Sequence, residues 1–267
     1  MPLKTGWTAH LRATRLCETE RIFGRCPDGA FARGLELGGG DGFQARLLLR
    51  WVRALVSTDY HQSILDGPAA PGLSFQVCDA ERADQIFPAG SFDLIFSSNL
   101  LEHLLDVQRA LAATLTLLRP GGIAVHVMPG VEWKLAQLAL HYPNLLAVAL
   151  DRLLGPAPLA APRGERPNNA KQPERSTRWR LLWPQPHGIS RTNLGELFAF
   201  RQARWEREFA SAGLEVIAAL PGPVSSGFGF GFDRLRAWLE RAGVSTETAY
   251  VLARPGEGAA ARAWFSC

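Results

Sequence analysis

A glycine-rich segment, Glu36 to Gly42, is the first candidate for binding chemistry in this sequence. It reads Glu-Leu-Gly-Gly-Gly-Asp-Gly and lies between a predicted strand and a predicted helix. Glycine lets a backbone take positive φ angles and approach a ligand closely, and the start of a helix offers unpaired N–H groups. A dinucleotide site needs glycine at the first, third and sixth positions of such a loop. Counted from Gly38 and Gly40, the sixth position is Phe43, so the spacing excludes an NAD or FAD site.

Such a loop needs alternating strands and helices to position it, and the apolar runs of the chain alternate in this way. Short apolar runs predict seven strands, over 34–37, 54–58, 73–77, 92–97, 123–128, 214–220 and 248–253. Helical spacing predicts helices over 42–51, 105–118, 193–212 and 233–242, and two helical pieces within 133–154. Seven strands in this order fit an open α/β sandwich with a parallel sheet.

Several separated segments resemble, in the right order, the motifs of class I S-adenosylmethionine-dependent methyltransferases of the type 11-like group. Residues 36–42 are similar to motif I, 56–60 to the end of the second strand, and 78–81 to the segment after strand three. Residues 92–103 are similar to the fourth-strand signature, and 118–122 to the turn before strand five. The resemblance covers 33–129 closely and the final strands loosely. It implies an α/β enzyme with a Rossmann-like seven-stranded sheet, mostly parallel with the last strand antiparallel.

The resemblance also implies the cofactor and the residues that hold it. S-adenosylmethionine would be the methyl donor and S-adenosylhomocysteine the product. Asp59 takes the family's place for the ribose hydroxyls, Tyr60 lies beside the adenine, and Asp79 with the Ala80 backbone meets the adenine amino group. Purely structural roles for Glu36 and Asp79, as caps of their turns, stay open. The full cofactor-binding set is Glu36, Gly38, Gly39, Gly40, Gly42, Asp59, Tyr60, Asp79, Ala80, Ser97 and Asn99.

Two histidines are the predicted catalytic residues. A sulfonium methyl group is already activated, but a hydroxyl acceptor gains from a base, and histidine titrates near neutral pH. His103 follows the fourth strand, and His187 lies in a proline-rich loop; a structural role remains open for each. Some quinone-ring methyltransferases of the family bind a divalent metal through a second Glu three residues before the Glu-His pair. Asn99 stands there in this chain, so no metal is expected.

The predicted reaction is methyl transfer to a small-molecule acceptor, with a hydroxyl ahead of a nitrogen as the acceptor atom. An anionic metabolite, a glycan and a natural-product intermediate are the candidate acceptors. The alternatives are an N-methyltransferase, or an enzyme that binds S-adenosylmethionine and catalyses a rearrangement or elimination without methyl transfer. No nucleic-acid partner is expected, because residues 98–101 read Ser-Asn-Leu-Leu where an Asn-Pro-Pro-Tyr type motif would stand.

Basic charge is concentrated in one part of the chain. The whole sequence has 29 Lys and Arg against 25 Asp and Glu, a net charge of +4. The stretch from Arg163 to Arg191 holds seven basic and two acidic residues, or +5, so the remainder, 22 basic against 23 acidic, is −1. Arginine binds carboxylate and phosphate groups bidentately, which predicts a lid for an anionic acceptor. A solvated arginine-rich loop is the equal alternative.

The length of 267 residues predicts one enlarged methyltransferase domain. We divide it into an N-terminal helical extension (1–32), a cofactor-binding core (33–130), an insertion or acceptor lid (131–192) and the final helices and strands (193–267). Four dispersed cysteines without a Cys-x-x-Cys pair exclude a zinc ribbon or a disulfide scaffold. With no signal-peptide pattern and no apolar run of about 20 residues, we expect a cytoplasmic protein without a membrane span. The sequence predicts no oligomeric state.

Overall fold

Seven strands form one sheet in the computed structural model, which describes residues 7–61, 70–154, 183–230 and 232–265. The strands are β1 Phe31–Leu37, β2 Val52–Asp59, β3 Leu73–Val77, β4 Phe92–Ser98, β5 Leu118–Pro129, β6 Glu215–Pro221 and β7 Glu247–Ala253. Their order in the sheet is β3-β2-β1-β4-β5-β7-β6. Strand β7 runs antiparallel to β5 and β6, and the remaining pairs are parallel. The predicted seven-stranded Rossmann-like sheet is confirmed.

The order of the strands creates a crevice beside β1. Strand β1 pairs with β2 on one side and β4 on the other, so the winding direction of the chain reverses there. In open α/β sheets, ligands bind at such a reversal, outside the carboxyl ends of the strands. Glu36 of β1 is in register with Ser57 of β2 and Phe96 of β4. The glycine loop follows β1 directly and therefore lies at this crevice.

The described residues contain eight α-helices. They are α1 Trp7–Phe23, α2 Phe43–Leu48, α3 Val107–Leu117, α4 Val131–Leu154, α5 Asn193–Ala199, α6 Gln202–Ser211, α7 Asp233–Arg241 and α8 Ala259–Phe265. No helix among the described residues is both long and apolar enough to cross a membrane.

Three helix predictions need correction. Helix α2 ends at Leu48 and not at residue 51, because the buried Trp51 leads directly into β2. Helix α4 is continuous through Pro143, where two pieces were predicted; proline removes one backbone donor without always ending a helix. The helix predicted over 193–212 is two helices, because Phe200 is buried at the break and Arg201 has an extended backbone.

Hydrophobic side chains alternate between the two faces of the sheet. Ile95 belongs to the core that α3 and α6 cover, together with Leu111 and Trp205. Its neighbour Phe96 belongs to the opposite core, against Phe23 of α1. Helix α1 also contacts α2 and α8. The N-terminal helix is therefore part of the layer that covers the sheet beside the glycine loop.

Candidate functional site

The glycine loop turns sharply between β1 and α2. Gly38 and Gly40 have φ angles of 71° and 54°, in the left-handed region that favours glycine. The Gly39 N–H donates to the Thr58 carbonyl at 2.8 Å, which ties the loop to β2. A cavity of about 280 Å³ lies against the loop and is called the loop cavity here; it is lined by Arg15, Glu36, Gly38, Gly39, Gly40 and Ser98, among others.

Glu36 lies beneath the loop and is almost completely buried. Its carboxylate accepts a hydrogen bond from Ser57 Oγ at 2.5 Å, and its backbone carbonyl accepts one from Thr58 Oγ1 at 2.8 Å. Burial raises the pKa of Glu36 to about 7, although the Ser57 hydrogen bond favours the charged form. The residue thus supports the loop from below and titrates near neutral pH.

The free energy of unfolding should change with pH as Glu36 titrates. Because the pKa of Glu36 in the folded state lies above its ordinary value of 4.5, its contribution is complete below pH 4.5 and is lost as the pH rises through about 7. We expect Glu36→Gln, whose amide oxygen can still accept from Ser57, to remove part of this loss, on the order of 1 kcal/mol per pH unit. Urea unfolding of both proteins between pH 4.5 and 8 measures the difference, and identical slopes would contradict it.

Asp59 connects the end of β2 to the same loop. Its carboxylate accepts hydrogen bonds from the Gly40 N–H at 3.2 Å and the His61 N–H at 3.1 Å. Tyr60, beside it, is 67% exposed and contacts His61 edge-on. Asp59 thus contacts the glycine loop, and Tyr60 follows it in the chain; the resemblance implies a ribose contact for Asp59 and an adenine contact for Tyr60. Those roles stay predictions.

The other two predicted adenine contacts lie after β3. The Asp79 carboxylate accepts from the Glu81 N–H at 3.0 Å and caps a short helix that begins at Ala80. Ala80 itself is buried. Asp79 thus has the capping role that the sequence left open. The bond from Glu81 uses Asp79 Oδ1 and does not involve Oδ2.

Ser97 and Asn99 occupy different surroundings at the end of β4. Ser97 is fully buried, and its Oγ lies 2.7 Å from Nδ1 of the buried His126. Ser98, which the sequence analysis did not single out, lines the loop cavity in its place. Asn99 has a φ of 50° and lines a second cavity.

This second cavity, called the histidine cavity here, has a volume of about 240 Å³. It is lined by His10, Leu11, Thr14, Arg15, Asn99, His103, Trp133, His187, Ser225, Gly227 and Glu247. Leu11 and Arg15 also line the loop cavity, so the two cavities meet along α1. Both predicted catalytic histidines lie in the histidine cavity.

Helix α1 supplies a polar network that the sequence analysis missed. The Arg15 guanidinium lies 2.6 Å from Glu18 Oε2 and donates to Ser98 Oγ. Gln44 Nε2 donates to Glu18 Oε1 at 2.6 Å. These side chains carry no motif, and the only available signal was their presence on an N-terminal helix close to the loop. The network joins α1, α2 and β4 at the junction of the two cavities.

His103, His187 and Glu102 form a cluster in the histidine cavity. The two imidazole rings are 4.7 Å apart, and Glu102 Oε1 lies 3.8 Å from His103 Nε2 and 3.9 Å from His187 Nε2. Burial lowers the pKa of His103 and lowers that of His187 to about 4, so both rings are uncharged at neutral pH. Burial also raises the pKa of Glu102 to about 8.

His187 is held in the cluster by a second set of contacts. The His187 and Gly188 N–H groups both donate to Glu196 Oε1. Glu196 is paired with Lys134 at 2.5 Å, and both side chains are fully buried. The Ile189 N–H donates to the Glu102 carbonyl at 3.2 Å. The loop that carries His187 is thereby fastened to α4, α5 and the turn after β4.

The basic lid predicted from the sequence is mostly outside the described residues. Of its seven basic residues, only Arg191 is described, and it is exposed. The anionic acceptor that this lid predicts therefore receives no support from the described contacts.

Comparisons with known proteins agree with this fold. The methyltransferase domain family matches residues 9–219 of the chain. No curated protein matches it at a significant level. Among solved structures, a SAM-dependent methyltransferase from Thermotoga maritima is 13% identical with a TM-score of 0.53, and each chain is covered to 92%. The [4+2]-cyclase SpnF is 14% identical with a TM-score of 0.52, over 94% of this chain and 84% of that one. A SAM-dependent methyltransferase from Mesorhizobium loti is 17% identical with a TM-score of 0.49, over 86% and 94%.

A seven-stranded sheet of this order, with a glycine loop and an acidic residue at the end of β2, defines a class I S-adenosylmethionine-dependent methyltransferase. The chain belongs to the methyltransferase domain family, whose match spans most of its length. It is an enzyme that uses S-adenosylmethionine as methyl donor and forms S-adenosylhomocysteine. The glycine loop has room for this cofactor, because the left-handed Gly40 has open space beside it and the loop lines a cavity.

Proposed function

We propose that the protein transfers the methyl group of S-adenosylmethionine to a hydroxyl of a small molecule held in the histidine cavity. The adjacency of the two cavities carries this proposal. The loop cavity lies against four of the predicted cofactor-binding residues, Glu36, Gly38, Gly39 and Gly40, and the histidine cavity shares Leu11 and Arg15 with it. A donor and an acceptor can therefore meet between α1 and the end of β4, where methyl transfer needs the nucleophile in line with the sulfonium.

The residues of the histidine cavity have the chemistry that a hydroxyl acceptor needs. Burial keeps His103 and His187 uncharged, so either imidazole has a nitrogen open to the hydroxyl proton, and the pKa of about 4 makes His187 a weak base. The Trp133 ring lies 4.7 Å from the His187 ring and forms an apolar wall that helps to exclude water. The same imidazoles can take a proton from an ammonium group, and for this reason N-methylation stays the second candidate.

The described charges also bear on the acceptor. Glu247 lines the cavity, and the Glu102 carboxyl group lies within 4 Å of the His103 and His187 rings. Arg15 is the cation on the described wall, and it is paired with Glu18. Burial raises the pKa of Glu102 to about 8 and that of Glu247 to about 7, so this wall carries little charge at neutral pH and favours a neutral acceptor. An anionic acceptor is supported only by the arginine-rich sequence from Arg163 to Arg180, which lies outside the described residues.

The proposed function is tested with S-adenosylmethionine labelled at its methyl group and a panel of small phenols, alcohols and amines. We expect label in an acceptor, and we expect Trp133→Ala to reduce its transfer by about 100-fold because the acceptor loses its wall. Calorimetry should show that this variant binds S-adenosylhomocysteine within about threefold of the wild type, since Trp133 does not line the loop cavity.

Three outcomes decide against parts of the proposal. Failure of the wild type to bind S-adenosylhomocysteine would remove its basis. Turnover of an acceptor that remains unlabelled would favour a rearrangement or elimination over methyl transfer. If Trp133→Ala weakened cofactor binding as much as it weakened transfer, the separation of donor and acceptor cavities would be wrong.

A further inference from the structure

We propose that Glu102, His103 and His187 form a binding site for a divalent transition-metal ion at the wall of the histidine cavity. The proposal goes beyond methyl transfer, and it does not depend on which acceptor the enzyme uses. It also replaces the expectation of no metal, which was based on Asn99 alone. The third ligand comes from a loop 85 residues further along the chain than Glu102.

The geometry of the three side chains carries the first part of the argument. Each offers one ligand atom, and all of these atoms lie within 4.8 Å of one another. Glu102 Oε1 is 3.8 Å from His103 Nε2 and 3.9 Å from His187 Nε2. Metal–ligand bonds of about 2.1 Å place neighbouring ligand atoms roughly 3 to 4 Å apart. Small side-chain rotations are therefore enough to bring the three atoms onto one ion.

The state of the Glu102 carboxylate is an independent observation. Its side chain is 1% exposed, and neither oxygen accepts a hydrogen bond from another described residue. Buried carboxyl oxygens are costly unless they are hydrogen-bonded or coordinate a metal, whether or not the group carries a proton. Arg15, which is close enough to influence it, is bonded to Glu18 and Ser98 instead. A cation between Glu102 and the two imidazoles would supply the partner that this carboxylate lacks.

The surroundings hold the ligands and leave a path for the ion. Glu196 accepts from the His187 and Gly188 backbone N–H groups, and Trp133 packs on the His187 ring, so the loop has a defined position. The side chains of His103 and His187 are 40% and 32% exposed, so an ion can reach them from solvent. Both histidines line the cavity. The remaining coordination positions would thus face the space assigned to the acceptor.

The ligand set indicates the kind of metal. Two imidazoles and one carboxylate suit Zn²⁺, Fe²⁺ or Co²⁺, whereas Mg²⁺ and Ca²⁺ prefer all-oxygen ligands. A hydroxyl bound at an open position would release its proton to solvent more readily, because the cation stabilises the resulting oxyanion. The imidazoles would then serve as ligands and not as proton acceptors. The transfer itself is unchanged: the oxygen–carbon bond forms as the sulfur–carbon bond breaks.

The test uses Co²⁺ alone as the probe on the whole, tag-free chain after treatment with a chelator. We expect one Co²⁺ per chain, visible ligand-field absorption between roughly 500 and 650 nm like that of other His-ligated sites, and displacement by Zn²⁺. Glu102→Gln and His187→Ala should each weaken Co²⁺ binding by more than about 100-fold. His141→Ala is the matched control, because His141 lies on α4 outside the cluster, and it should bind Co²⁺ like the wild type.

Binding of S-adenosylhomocysteine by each variant shows that the fold is intact. The proposal is overturned if the wild type binds no stoichiometric Co²⁺, or if both cluster variants retain the absorption bands. Either result leaves the proposed methyl transfer standing, because uncharged imidazoles would then remain available as proton acceptors. Conversely, loss of methyl transfer with normal Co²⁺ binding would count against the proposed function and not against the metal site.

Discussion

Substituting Gly39 with alanine is expected to weaken S-adenosylhomocysteine binding by roughly 10- to 100-fold, with a loss of about 1–3 kcal/mol of unfolding free energy. The reason is a steric conflict beneath the loop. A Cβ at Gly39 would lie 2.1 Å from Ser57 Oγ and 2.3 Å from Glu36 Oε2. Both atoms are buried and hydrogen-bonded to each other, so they cannot move away without breaking that bond. The loop must shift instead, and it lines the loop cavity.

Calorimetry with S-adenosylhomocysteine measures the affinity, and urea unfolding measures the stability. Gly121→Ala is the matched control, because Gly121 lies outside the loop cavity, within β5 where a turn was predicted over 118–122, and a Cβ there would meet nothing within 4 Å. Its φ of 73° makes alanine cost about 1 kcal/mol of stability, but cofactor affinity should not change. Equal losses of affinity in both variants would show that the contact with Glu36 and Ser57 is not the cause.

Lys134→Ala is expected to lower the unfolding free energy by about 3–5 kcal/mol. Lys134 and Glu196 form an ion pair at 2.5 Å with both side chains fully buried. Removal of the ammonium group leaves the Glu196 carboxylate buried without its cation. For a protein of this size the loss corresponds to a melting temperature lower by roughly 6–20 °C. Because Glu196 also accepts from the His187 and Gly188 N–H groups, the loop that carries His187 should loosen as well.

Thermal unfolding at neutral pH measures the first effect, and Co²⁺ or acceptor binding at the histidine cavity measures the second. Arg50→Ala is the control: its ion pairs with Glu20 and Asp28 are exposed, so its melting temperature should stay close to that of the wild type. The double variant Lys134→Met/Glu196→Gln should recover part of the stability, because no unpaired charge remains and the introduced amide oxygen can still accept one backbone N–H. A Lys134→Ala variant as stable as Arg50→Ala would contradict the argument.

The strands and the glycine loop between β1 and α2 could be predicted from the sequence because their signals are local. The central strands β4 and β5 each contain a short buried apolar run, over 94–96 and 123–125, as a parallel sheet covered on both faces requires. The positive φ angles of Gly38 and Gly40 were expected from residue type alone. Asp59 was expected near the loop from the family resemblance, and its carboxylate accepts from the Gly40 N–H.

The arrangement of the histidine cavity and of the polar network on α1 was decided by the tertiary structure alone. Arg15 and Glu18 enter the site because α1 packs against α2, and no periodicity in α1 specifies that contact. His187 reaches Glu102 because a buried ion pair, Lys134 with Glu196, fastens its loop. Contacts between residues so distant in sequence depend on the packing of whole helices and on the burial of polar groups. Local sequence patterns indicate the conformation of one segment. Whether two distant segments come into contact depends on the free energy of the whole folded core.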